Sequence, residues 1–204
     1  MSARDILASA GDGLSYIRER GEIALPLILM AVISTVVINY NVFVPTYAKI
    51  SLGRSASGYG FLMTSMGIGS LIAALTLAVG SRSGPSRLRL FGGAVGLCAS
   101  ILACGLQRDY FVSCILLGLA GFSTISFATS TNATIQLASD DEHRGRVMSV
   151  YSLVFGGVTP IGALYAGLVS EVAGPAFCMA LSGAIGLAAS AFLLLGRRFR
   201  VRTR

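Results

Sequence analysis

Residues 110–138 read YFVSCILLGLAGFSTISFATSTNATIQLA, an uninterrupted run without a single charged side chain. A helix needs about 20 predominantly apolar residues to cross the roughly 30 Å hydrocarbon layer of a bilayer. This stretch is long enough, and it is followed at once by Ser139 and the charged residues Asp140 to Arg146. It is a membrane-spanning helix, and the rest of the chain repeats the pattern. Comparable apolar runs lie near 23–46, 58–80, 88–107, 147–171 and 176–196. Only Gln107, Arg108 and Asp109 separate the third run from the fourth, which makes those two a tight antiparallel hairpin. Gly174-Pro175 punctuates the turn before the sixth, with proline suited to a first helical position. The expected fold is an all-α, integral membrane six-helix bundle.

Composition supports this reading. The chain is 54% hydrophobic and 12% charged, whereas a soluble domain is about 25% charged. Its 25 glycines suit membrane helices, where small residues let backbones approach closely. Spacings of the small-x-x-x-small kind recur in Gly92/Gly96, Ala163/Gly167 and Ser182/Gly186. The net charge of +7 does not point to nucleic acid, because the arginines occupy short segments between apolar runs. Of the 16 Lys and Arg, 13 fall on the side that holds both termini and only Lys49, Arg54 and Arg108 on the other. By the positive-inside rule both termini are cytoplasmic.

Residues 1–22 carry too many charges to form the apolar core of a secretory signal peptide. They read either as a cytoplasmic linker or as an amphipathic surface helix with Ile6, Leu7, Ala10, Leu14 and Ile17 on one face. Residues 197–204 form a basic cytoplasmic tail.

The sequence argues against enzymes. The one histidine, His143, sits in a charged stretch, and no span carries Asp or Glu away from its ends. That leaves no buried base for an intramembrane serine protease and no carboxylate pair for an aspartyl protease. No phosphate-binding Gly-x-x-x-x-Gly-Lys-Ser/Thr occurs. Cys98, Cys104, Cys114 and Cys178 are scattered inside apolar runs and read as packing residues, so neither a metal nor another cofactor is expected.

What remains is uncharged polarity inside apolar helices. Thr129, Asn132 and Gln136 follow an i, i+3, i+7 spacing on the fourth span and share a face. Lipid cannot satisfy such a face, so it points at other helices or at a water-filled cavity. Asn39 and Asn41 decorate the outer third of the first span and are further cavity candidates. In the fifth, Pro160 removes a backbone bond to the Gly156 carbonyl, and Gly156-Gly157 makes the helix easy to bend there.

The loops then carry a resemblance. Asp140-Asp141-Glu142-His143-Arg144-Gly145-Arg146-Val147-Met148-Ser149, running into Gly156-Gly157-Val158-Thr159-Pro160, is similar to the stretch opening the eleventh helix of major facilitator superfamily transporters. The nearest branch includes enterobactin-type exporters. Gly80, Gly84, Arg87 and Arg89 resemble that superfamily's loop between helices eight and nine, with Ser81-Arg82-Ser83 in place of its usual acidic residue. Asp12-Gly13-Leu14 resembles the linker before helix seven, and Tyr59-Gly60 with Gly67 and Gly69 resembles helix eight.

The resemblance covers about residues 12 to 196, half of a twelve-helix architecture. It implies the C-terminal half of a secondary exporter in a bacterial inner membrane, handling small amphipathic molecules such as siderophores or drugs by alternating access. On that view Arg82, Arg87, Arg89, Arg144 and Arg146 are cytoplasmic gating-loop candidates. The implied partners are the lipid bilayer, a small-molecule substrate, and an N-terminal six-helix half or a second copy of the chain. A self-associating half-transporter, an inactive remnant, and a scaffold or channel subunit are the alternatives at this stage.

Overall fold

A computed structural model describes residues 15–79 and 86–201. Six helices are long and apolar enough to cross a membrane: Gly21–Ser51, Ala56–Val79, Arg87–Leu106, Tyr110–Ala138, Asp141–Ala173 and Pro175–Leu195, here spans one to six. No strand occurs among the described residues. Spans three and four form the expected hairpin, and Asp109 caps the fourth by accepting the Val112 N–H at 2.9 Å. Gly174 turns the chain at φ 87°, a left-handed setting that glycine takes without strain, and Pro175 opens span six. The helix of span six continues to Val201, into the basic tail.

Two helices depart from the simple reading. Span one breaks between Val36 and Tyr40. There the Asn39 N–H turns to the Val37 carbonyl, and the Asn39 side-chain amide donates to the Thr35 carbonyl at 2.8 Å. The residue thus replaces with its side chain the backbone bond it gives up, which is what a break at membrane depth requires. Span five begins at Asp141, so the charged stretch read as a loop is its first two turns. Asp141 and Glu142 in the first turn complement the positive helix N-terminus and stabilise this early start. A π-helical segment, Leu153–Gly157, interrupts span five just before Pro160. The Gly156 carbonyl accepts the Thr159 hydroxyl at 2.7 Å and so is not left bare by the missing proline N–H.

Span two packs along span four, span three along spans four and six, and span one crosses four, five and six. Glycines let these helices touch backbone to backbone. A Cβ on Gly69 would collide with the Gly118 carbonyl, one on Gly121 with the Met66 carbonyl, and one on Gly183 with the Leu102 amide. The core between spans one, three, four and six holds Leu29, Ile33, Phe43, Leu97, Leu117 and Phe127, all fully buried. Tyr47 is buried among them and donates to the Cys104 carbonyl at 2.8 Å, an orphan acceptor in the last turn of span three. Spans two and five are the least covered, at 17% against 33–44% for the others. Their outer faces carry Phe61, Leu71 and Leu75, and Leu164, Leu168 and Val172. That apolar exterior needs a lipid bilayer around it.

Candidate functional site

The polar face of span four lies towards its arginine-rich end. Thr129 and Gln136 are exposed and Asn132 is half-buried, with the Gln136 amide donating to the Asn132 side-chain oxygen. Span five supplies Tyr151, whose hydroxyl reaches the Ala128 carbonyl at 3.4 Å and lies near the Asn132 side chain. Phe155 stacks on the Tyr151 ring at 6.0 Å, one residue before Gly156. Asn132 therefore joins the neutral face of span four to the segment of span five that departs from α-helical geometry. Hydrogen-bonding groups without charge, beside exposed aromatic and apolar side chains, suit an amphipathic ligand and offer no nucleophile or base.

Asn39 lies elsewhere. It is buried where Gly162 of span five approaches span one, and a Cβ on Gly162 would meet both the Thr35 carbonyl and the Asn39 amide. Asn41 is exposed on the same span. Among the described residues neither is hydrogen-bonded to Asn132. Gly156 has open space around it, whereas a Cβ on Gly157 would meet its own neighbour Leu153.

Among the arginines, Arg144 holds the corner between spans four and five. It pairs with Asp141 at 2.7 Å and donates to the Gln136 and Ser139 carbonyls at 3.2 and 3.3 Å. A cation on the last carbonyls of span four sits where the helix dipole favours it. Arg87 pairs with Glu22 at 3.0 Å across spans three and one. Arg89 lies between spans two and three, and Arg146 is exposed. Arg82, Gly80, Gly84 and residues 1–14, with their amphipathic reading, lie outside the described residues.

A clasp at the corner between spans four and five was not expected from the sequence. Arg20 meets the Asp140 carboxylate through both guanidinium nitrogens, at 3.2 and 2.7 Å. Tyr16 accepts the Asp140 N–H at 3.0 Å, stacks on His143 at 4.3 Å and lies under the Arg20 guanidinium at 4.5 Å. The Tyr16 and Arg20 hydrogen bonds hold the Asp140 carboxyl below the usual carboxylate range. The partners are 120 and more residues apart, and the only cue in the sequence is a tyrosine and an arginine one helical turn apart just ahead of span one.

The whole sequence, residues 1–204, matches the family described as transmembrane secretion effector. Neither the curated proteins nor the solved structures returned a match. With six spans in this order and a match over its full length, the chain belongs to the transmembrane secretion effector family, of the major facilitator type of transporter.

Proposed function

We propose that this chain is the C-terminal six-span half of a secondary exporter of small amphipathic molecules, working by alternating access against a second six-span unit. The carrying observation is the neutral Thr129–Asn132–Gln136 face, partly open on span four and coupled through Tyr151 to the π segment of span five. Such a face inside a membrane protein needs a cavity or a partner to satisfy it. Spans two and five supply the surface for that partner. Gly60 and Gly67 on one, and Gly145 and Gly156 on the other, have nothing of their own chain within 4 Å of an added Cβ. Glycine inside a helix costs about 1 kcal/mol relative to alanine, and these positions return nothing to the internal fold. Close approach by helices of another unit gives them a use, and the superfamily's pairing of two six-helix halves is the arrangement that fits. The segment Leu153–Gly157 with Pro160 is the bendable element, and Arg144, Arg146, Arg87 and Arg89 lie on the cytoplasmic side, where both termini are placed. The membrane is the bacterial inner membrane.

The test is export of an amphipathic fluorescent dye from cells making the complete transporter. Asn132→Ala removes one hydrogen-bonding group of about 0.6 kcal/mol and should slow efflux about threefold. Arg144→Ala should slow it further by loosening the span four–five corner. Unchanged efflux in both variants would remove the basis for the proposed cavity. Export by this chain without a second unit would instead favour a pair of identical copies.

A further inference from the structure

Spans one and five both begin at the arginine-rich end of the bundle, and neither start is capped by its own side chain. Arg20 holds the N-cap position of span one, and Asp140 that of span five. The two cap residues are bonded to each other instead, through both guanidinium nitrogens and both carboxylate oxygens at 3.2 and 2.7 Å. Tyr16, one turn before Arg20, accepts the Asp140 N–H and stacks its ring on His143. The clasp therefore ties together the starts of two membrane helices that lie 120 residues apart in the chain.

Asp140 has a second use that the clasp withholds. Its backbone, at φ −64° and ψ 150°, is in the extended setting from which an Asp side chain accepts an N–H of the first helical turn. The carboxylate makes no such bond here, and the first N–H groups of a helix have no acceptor within it. Once Arg20 lets go, rotation of one side chain satisfies them. The two uses are close in strength. An ion pair as exposed as this one, at 44% and 56%, shifts an equilibrium by up to about fivefold. An Asp cap is worth about fivefold as well. A contact with a ready replacement of equal worth is one that opens and closes.

What the clasp restrains is set by the rest of span five. Spans one and five meet again at Gly162, where an added Cβ would strike the Thr35 carbonyl and the Asn39 amide. Between the clasp and this crossing lies the π-helical segment Leu153–Gly157, with open space around Gly156. The regular helix Asp141–Ser152 is thus a lever about 18 Å long, at 1.5 Å per residue. One end is held by the clasp and the other by a bendable joint. Arg144 keeps the tip of the lever on the last carbonyls of span four. The tip is therefore free to part from span one while it stays with span four.

From this we infer that the Arg20–Asp140 clasp is a latch on span five. Closed, it pins the Asp141–Ser152 helix to the start of span one. Open, it lets Asp140 cap its own helix, and that helix swings at Leu153–Gly157 about the Gly162 crossing. Tyr151 moves with the lever, so the state of the latch reaches the Asn132 face of span four. The latch is a property of the fold and does not rest on the export reading.

Hydrogen–deuterium exchange of the full chain in detergent, read by mass spectrometry on overlapping peptides, tests the latch. Arg20→Ala should open it. Amides of residues 15–20 and of the joint at 153–157 should then exchange about fivefold faster. Those of 141–144 should keep their wild-type protection, because the freed carboxylate caps them. Asp140→Asn should give the same pattern, since Asn caps a helix about as well as Asp and carries no charge for Arg20. Asp140→Ala removes latch and cap together and should speed exchange in all three segments. Residues 159–163 at the crossing should be unchanged in every variant, which also shows that the variants are folded. Wild-type exchange at 15–20 and 153–157 in both Arg20→Ala and Asp140→Asn would overturn the latch. Equal loss of protection at 141–144 in Asp140→Asn and Asp140→Ala would overturn the alternative cap, and the switch with it.

Discussion

Gly67 and Gly69 are two residues apart on span two, and alanine at each should act in opposite directions. At Gly69 the new methyl group points into the Gly118 carbonyl, and Gly121 faces the Met66 carbonyl in return. The two helices interlock through backbone, so neither obstacle can swing aside as a side chain would. Overpacking of this kind costs about 1–3 kcal/mol, and rigid backbone on both sides puts Gly69→Ala in the upper half of that range. Gly67→Ala meets nothing within 4 Å and gains about 1 kcal/mol of helix propensity. The two variants should therefore differ by about 3 kcal/mol, more than a hundredfold in the unfolding equilibrium. Unfolding in mixed micelles by graded addition of a denaturing detergent, followed by circular dichroism, reads this difference directly. Equal stabilities, or a less stable Gly67→Ala, would refute the assignment of which face of span two is internal. The sign for Gly67 should reverse when a second six-span unit is present, because the methyl group then intrudes on the proposed interface.

Three further outcomes follow from named contacts. Tyr47→Phe removes the donor to the Cys104 carbonyl and should cost about 1–3 kcal/mol in the same unfolding assay. The Tyr16 and Arg20 hydrogen bonds lower the Asp140 pKa, so the clasp's contribution is complete above the ordinary carboxylate pKa and fades only as pH falls through the depressed value. Melting curves of the wild type and Asp140→Asn should accordingly stay apart from neutral pH down past about 4 and converge only in stronger acid. Among the cysteines, Cys114 lines an apolar groove between spans two and four and is half-buried, while Cys98, Cys104 and Cys178 are buried. A small maleimide should label Cys114 first in detergent, and equal labelling of Cys98 would contradict its burial between spans.

Hydropathy located spans two, three and four to within two residues at either end, because a change from lipid to water is written into every side chain near the boundary. It misplaced the start of span five by six residues. Charges at Asp141, Glu142, Arg144 and Arg146 look like loop to a hydropathy count, yet a helix N-terminus favours acidic residues and its later turns project freely into water. The Thr129–Asn132–Gln136 face was legible from spacing alone, since it needs only one helix. Asn39 was legible as polar but not in its role. That role depends on a break in its own helix and on Gly162 arriving from a span more than 100 residues on. The clasp of Tyr16, Arg20, Asp140 and His143 was hidden for the same reason: apolar periodicity tells which face is buried, not which helix it meets.

The placement of charge bears on how such a domain would contribute to a transport cycle. Every described carboxylate lies in a loop or near a helix end: Glu19, Glu22, Asp109, Asp140, Asp141, Glu142 and Glu171. The one histidine is stacked on Tyr16 at the span four–five corner. A proton-coupled cycle needs a titratable group that is exposed to each side in turn, near the middle of the membrane. On the exporter reading, that group belongs to the facing six-span unit, and this one supplies the neutral surface. The division has a physical advantage. A cavity wall of amides, hydroxyls and aromatic rings binds amphipathic molecules without the desolvation cost that a charge would impose on them. It also leaves the wall unchanged when the facing unit gains or loses its proton, so coupling acts through the relative position of the two units. The bendable stretch from Leu153 to Pro160, which carries Phe155 against Tyr151 and through it Asn132, is the part of this chain that such a movement would deform first.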